Sequence, residues 1–275
     1  MAEKQLFMLG DIPQGILEEA TRSLAAYSTA IGWIGCHVGG GTFVRVNGRS
    51  GILTARHVWD AIYQSRRKHP EVNLLVANGA HSFPIRVDYL TPRIQLDRNS
   101  DPWGPDIEFI ELPSAAVGQV LRAKSFAEIS ARADRWLPVA ECDEGFGAVM
   151  GFPAEQSRCT PLDGDRYLLE LRGGYVSGIE NSQIRGEFDY VETIADPFNA
   201  AGLPTSYGGV SGSGLWRMQL HKKATEPIDR ATLGQDYALA GVAFYQEPMK
   251  DGRMLIRYHG PKTIYRQVPK LVPPI

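Results

Sequence analysis

The run Gly51-Ile52-Leu53-Thr54-Ala55-Arg56-His57-Val58 decides how this chain is read. Ile52 to Ala55 suit a short strand, and with Val58-Trp59 behind it the histidine stands at a strand-to-helix corner, where side chains face a cleft. Further on, Asp106-Ile107-Glu108-Phe109-Ile110 opens an apolar run with an acid, and Gly209-Val210-Ser211-Gly212-Ser213-Gly214 sets serines in a glycine frame. Histidine, acid and serine are the parts of a nucleophilic hydrolase. A serine hydroxyl is a weak nucleophile until a base takes its proton. The base in turn needs a buried carboxylate to fix its tautomer and stabilise the imidazolium.

Each residue also has a plainer reading. A single histidine at a strand end is usually structural, and His57 gains weight only because the other two segments agree with it. His69, in a polar stretch, and His81, in a hairpin, read as solvated. Asp106 competes with Asp97 and Asp101, yet it alone leads directly into an apolar run. Taken alone, the serine loop is also an ordinary Gly-rich turn. Within it Ser211 and Ser213 compete. The segment does not form a G-x-S-x-G elbow, because Ser213 occupies the final glycine position.

With these motifs in this order, the chain resembles the chymotrypsin/trypsin-like serine peptidases, above all their bacterial, disulfide-free relatives. The order His…Asp…Ser is theirs; α/β-hydrolases and subtilisins order the same parts differently. Gly40-Gly41-Thr42-Phe43-Val44-Arg45-Val46 followed by 51–58 resembles the family's first signature. Asp106 to Leu112 resembles the second and Gly209 to Leu215 the third. His57 and Asp106 lie 49 residues apart, and Asp106 and Ser211 lie 105 apart. The resemblance spans about residues 32–265.

The resemblance implies an all-β fold of two six-stranded antiparallel barrels closed by a C-terminal helix, and outside that family core the helical spacing of Ile16, Leu17, Ala20, Leu24 and Ala25 predicts an N-terminal helical extension. It implies His57, Asp106 and Ser211 as the catalytic triad, with Ser211 preferred because Gly209 and Gly212 frame it. It implies the amides of Gly209 and Ser211 as the oxyanion hole, which must point at the developing charge before reaction. The strand Leu239 to Gln246 resembles the substrate-binding strand, whose edge would pair with a peptide backbone. Thr205, Phe244, Tyr245 and Gln246 are then substrate-binding candidates. Gln246 replaces a common pocket glycine and would narrow the pocket, and Thr205 carries no charge, so a preference for Lys or Arg is not expected. Val210 stands where secreted trypsins have the Asp that anchors a newly cut N-terminus. Activation by that route is therefore not expected.

The chain has 275 residues, a formal net charge of −2 and 43% hydrophobic residues, with no broad charge to attract nucleic acid. Arg66-Arg67-Lys68 reads as a solvated face. There is no run of about 18 apolar residues to span a membrane, and acidic residues through positions 3–19 give no export signal. The three cysteines, Cys36, Cys142 and Cys159, form neither a disulfide framework nor a metal spacing. The expectation is a cytoplasmic protein with no cofactor, no metal, no nucleic acid and no membrane.

By segment, the sequence predicts the helical extension at 1–30, the first barrel at 31–125, a linker at 126–144 and the second barrel with the closing helix at 145–275. Residues 217–235 read as a polar surface excursion. The leading functional expectation is an intracellular serine endopeptidase of narrow specificity, or one activated by a protein partner. The rival is a latent chymotrypsin-fold module that only holds a peptide. An esterase using the same triad is not separable by sequence.

Overall fold

Phe43, Val44, Val46, Ile52 and Leu53 are fully buried, and the hairpin that carries them is the spine of the first of two sheets. Its turn is Asn47-Gly48, both residues at positive φ (49° and 85°), as two-residue hairpin turns require. The structure is a computed structural model. It describes residues 14–33, 36–68, 73–78, 81–96, 103–141, 146–161, 167–170, 175–177, 179–195, 204, 206–218 and 237–275.

The first sheet contains β1 (Ser28–Trp33), β2 (Cys36–Val46), β3 (Arg49–Thr54), β4 (Asn73–Asn78), β5 (His81–Arg86), β6 (Thr91–Pro92) and β7 (Glu108–Glu111). They run in the order β5-β4-β1-β2-β3-β7-β6, and a short β8 (Ala127–Glu128) joins β2 in parallel. The second sheet draws on β9 (Phe146–Met150), β12 (Tyr175–Ser177), β13 (Ile179–Arg185), β14 (Phe188–Ala195), β15 (Gly214–Met218), β16 (Tyr237–Pro248) and β17 (Met254–His259), in the order β12-β9-β15-β16-β17-β14-β13. A separate hairpin joins β10 (Arg158–Pro161) to β11 (Tyr167–Glu170). The fold is therefore two β-sheets with helices at both ends of the chain. The expected barrels differ in detail, because among the described residues the terminal strands of neither sheet pair to close it.

The helices are α1 (Gln14–Ala25), α2 (Arg56–Lys68), α3 (Ser114–Val120), α4 (Ala133–Glu141) and α5 (Val268–Leu271). Far from being an appendage, α1 buries Ala20 and Leu24 in a core shared by both sheets, where Val44, Leu53 and Phe109 meet Val149, Leu215 and Tyr258. The π-turn Thr263–Gln267 leads into α5 and buries Ile264 and Tyr265. Helix α5 and the residues after it are strapped to the turn of the β2–β3 hairpin. Asn47 Nδ2 donates to the carbonyls of Pro269 and Val272, both at 2.7 Å, and Arg49 donates to those of Pro273 and Pro274.

One reading changes. The surface excursion cannot start at 217, because Arg217 and Met218 are buried strand residues of β15; residues 219–235 lie outside the described residues. Among the described residues no helix is long and apolar enough to cross a membrane.

Candidate active site

Strand β3 ends at Thr54 and α2 begins at Arg56, so His57 lies in the first turn of a helix with its side chain half exposed. Val58, Trp59 and Ile62 anchor that helix in a second apolar cluster. Asp106 comes just before β7, which pairs with β3 in the register Thr54↔Glu108. That pairing brings acid and histidine together. His57 Nδ1 lies 2.6 Å from Asp106 Oδ2, and the His57 backbone N–H donates to Oδ1 at 3.0 Å. A carboxylate gripped at both oxygens fixes the ring and favours the tautomer with its proton on Nδ1, leaving Nε2 free to accept. Burial alone would raise the Asp106 carboxyl. Hydrogen bonds and charge from His57 outweigh it, and the group ends below its ordinary value. Asp97 and Asp101, its rivals in the sequence, lie outside the described residues, as does His69.

The serine segment is a tight turn pressed into the same corner. Gly40 N donates to the Ser211 carbonyl at 2.7 Å, and Gly212 N donates to the Ala243 carbonyl at 2.6 Å. Gly212 has φ 86°, and a Cβ there would lie 2.1 Å from both Gly40 O and Thr54 Oγ1. Only glycine fits that position. The two serines separate cleanly. Ser213 is fully buried against Gly40 and Gly151, and among the described residues its Oγ has no hydrogen-bond partner. Ser211 is partly exposed. Among the described residues Ser211 Oγ makes no hydrogen bond to His57. Such contacts are commonly loose without substrate and tighten in the complex.

The amides of this turn divide in a telling way. Val210 N, Gly212 N and Ser213 N all donate to backbone carbonyls. Gly209 N and Ser211 N donate to no acceptor among the described residues. Gly209 adopts φ 88°, a conformation that lets an amide turn outward. Val210 between them is buried in the shared core.

Of the substrate candidates, Thr205 lies outside the described residues. Phe244 points inward, buried and stacked on His259 with ring centroids 4.4 Å apart; only its backbone can meet a peptide. Tyr245 is partly exposed beside Arg257. Gln246 reaches toward Gly208, its Nε2 lying 3.9 Å from the point a Cβ on that glycine would occupy, and its Oε1 is buried without a partner among the described residues. Past Ala243, β16 pairs with β17 alone. Its other edge is open among the described residues, next to the serine turn.

Two residues of the site were missed in the sequence. His259, fully buried on β17, accepts a hydrogen bond at Nε2 from the Asp106 backbone N–H at 3.0 Å. Desolvation holds its pKa down at about 4, against the attraction of Asp106. Glu108, also fully buried, accepts from the amides of Arg93, Ile94 and Phe109 through Oε1. Its Oε2 lies 3.1 Å from Arg56 Nη1, an ionic contact without hydrogen-bond alignment, since that nitrogen donates to the Ile94 carbonyl instead. Desolvation dominates and raises Glu108 to about 7. Pairing across β3 and β7 thus repeats beneath the candidate dyad: Arg56–Glu108 below His57–Asp106. Their spacing, one residue before the histidine and two after the acid, was the available signal.

No protein-family model and no curated protein sequence matches the chain. Solved structures similar to it include an inactive mutant of Rv3671c from Mycobacterium tuberculosis H37Rv, at 14% identity and TM-score 0.48, covering 94% of this chain and 93% of that one. Another is mouse neuropsin, a serine protease expressed in the limbic system of the brain, at 12% identity and TM-score 0.48, covering 90% and 95%. A third is the HtrA-type protease AlgW with a tripeptide, at 14% identity and TM-score 0.43, covering 92% of this chain and 62% of that one.

Proposed function

We propose that this chain is a serine endopeptidase working through an acyl-enzyme. The observation that carries the reading is the two-point grip of Asp106 on His57, at ring and backbone together. In the proposed reaction His57 Nε2 takes the proton of Ser211 Oγ as that oxygen attacks the scissile carbonyl. The unused amides of Gly209 and Ser211 receive the charge on the carbonyl oxygen. His57 then returns the proton to the leaving amine, and water repeats the sequence to release the acid. Asp106 stays ionised throughout, in keeping with its lowered pKa. The substrate backbone pairs with the open edge of β16. We place the enzyme in the cytoplasm on its unframed cysteines, and infer narrow specificity or activation by a protein partner from the hazard of an unrestrained protease there.

A second reading is a latent peptide-binding module, favoured by one observation: the missing Ser211–His57 hydrogen bond. Intact-mass labelling with a fluorophosphonate separates the two. One adduct on wild type and on Ser213→Ala, and none on Ser211→Ala, is the expected result. No adduct on wild type, or one that survives Ser211→Ala, overturns the protease.

A further inference from the structure

Three residues before Asp106, Trp103 is stacked between two guanidinium groups. The Arg257 carbon lies 3.4 Å and the Arg185 carbon 3.8 Å from its ring centroid. Two guanidiniums that close to one centroid must occupy opposite faces. The inner one is buried and neutralised, since Arg257 Nε and Nη2 meet Glu192 Oε1 at 2.9 and 2.8 Å. Arg257 also lies 4.9 Å from the Tyr245 ring, its cross-strand partner on β16. Arg185 differs. It stands exposed at the end of β13, its Nε reaching only the neutral Gln183 Oε1 at 3.4 Å, and no carboxylate pairs with it among the described residues.

The stack meets β16 through Tyr245, whose ring lies 4.9 Å from Arg257 and which is the second residue past Ala243, where the opposite edge of β16 opens. Trp103 also stands only three residues before Asp106, so the stack connects the strand that borders the serine turn with the loop that holds His57. We propose that Arg185, braced flat on Trp103, reads a carboxylate side chain of the substrate about two to four residues upstream of the cut bond, within the reach of a strand rising about 3.3 Å per residue. The inference rests on the protease reading for its substrate. The chemistry is the planar fork of arginine meeting a carboxylate. Stacking on the indole restricts the side chain before the ligand arrives, and the neutral Arg257–Glu192 pair beneath leaves Arg185 as the unbalanced charge.

The test does not need catalysis. The Ser211→Ala protein is used to capture peptides from a synthetic library, and the bound fraction is sequenced. Enrichment of Asp and Glu over Asn and Gln by roughly five- to tenfold is expected at a single register. Arg185→Glu in the same background, with its fold checked by circular dichroism, is expected to abolish that enrichment and favour Lys and Arg instead. Enrichment of aromatic residues, no captured peptides, or an acidic preference unchanged in Arg185→Glu would overturn the proposal. Fluorophosphonate labelling of wild type judges the protease reading separately: labelled protein without acidic enrichment loses only the substrate class, and acidic enrichment without label loses only the chemistry.

Discussion

The amide of Asp106 donates to Nε2 of His259 at 3.0 Å, a bond that joins the loop before β7 in the first sheet to the end of β17 in the second. Asp106 is thus held at both ends: its carboxylate by His57, its backbone by a buried histidine. The acceptor role fixes His259 as neutral, with its proton on Nδ1.

Replacing His259 with Phe leaves the Asp106 N–H unpaired, at a cost of about 1–3 kcal/mol. Both the unfolding free energy and the fluorophosphonate labelling rate are expected to fall, and Gln, whose Oε1 can accept the same bond, is expected to recover part of each. Full activity in His259→Phe would show that Asp106 needs no such support.

His259 and Glu108 carry opposite pH linkages over overlapping windows. The folded pKa of His259 is depressed, from 6.5 to about 4. Its stabilisation is complete above pH 6.5 and is lost as pH falls through 4. The folded pKa of Glu108 is raised, from 4.5 to about 7. Its stabilisation is complete below pH 4.5 and is lost as pH rises through 7. Shifts of this size correspond to roughly 3 kcal/mol each, so between pH 4.5 and 6.5 they nearly offset one another. Urea unfolding is expected to show Glu108→Gln gaining stability with pH across this range and His259→Gln losing it, with wild type flatter than either. Parallel pH profiles for all three proteins would refute the assignment.

Gly212→Ala places a Cβ 2.1 Å from Gly40 O and Thr54 Oγ1 at a positive φ. The loss of stability is expected to be roughly 2–4 kcal/mol, and the serine turn must lift away from the corner that holds His57. Thermal melting and labelling should drop together. A variant that melts like wild type would mean the turn is not docked as described.

Ser213→Ala removes a buried hydroxyl that has no partner among the described residues. Deleting such a group is expected to be neutral or to stabilise by up to about 1 kcal/mol. A loss above about 2 kcal/mol in chemical denaturation would reveal a hidden hydrogen bond.

Much of the candidate site was legible because the proposed chemistry depends on local sequence. The strand-to-helix corner at His57, the acid leading into a buried run and the glycine-framed turn each announce themselves over a few residues. His259 was not legible, because nothing near it marks a histidine that accepts from an amide 153 positions away. Nor was the inward face of Phe244: strand alternation says that successive residues face opposite ways, but which one faces the core is decided by packing, here against His259. β15 was hidden by its shortness, since Gly214 to Met218 reads as the tail of a loop until β9 and β16 flank it.

The strap from Asn47 and Arg49 to the carbonyls of residues 269–274 has a mechanical side. It fastens the chain beyond the second sheet onto the β2–β3 hairpin, the same hairpin whose far end leads to His57. Force applied at residue 275 would therefore reach the first sheet before it reached the second. In a pulling experiment with a handle at that residue, the hairpin would bear the tension first, and the two halves of the cleft would stay together until the clasp gave way.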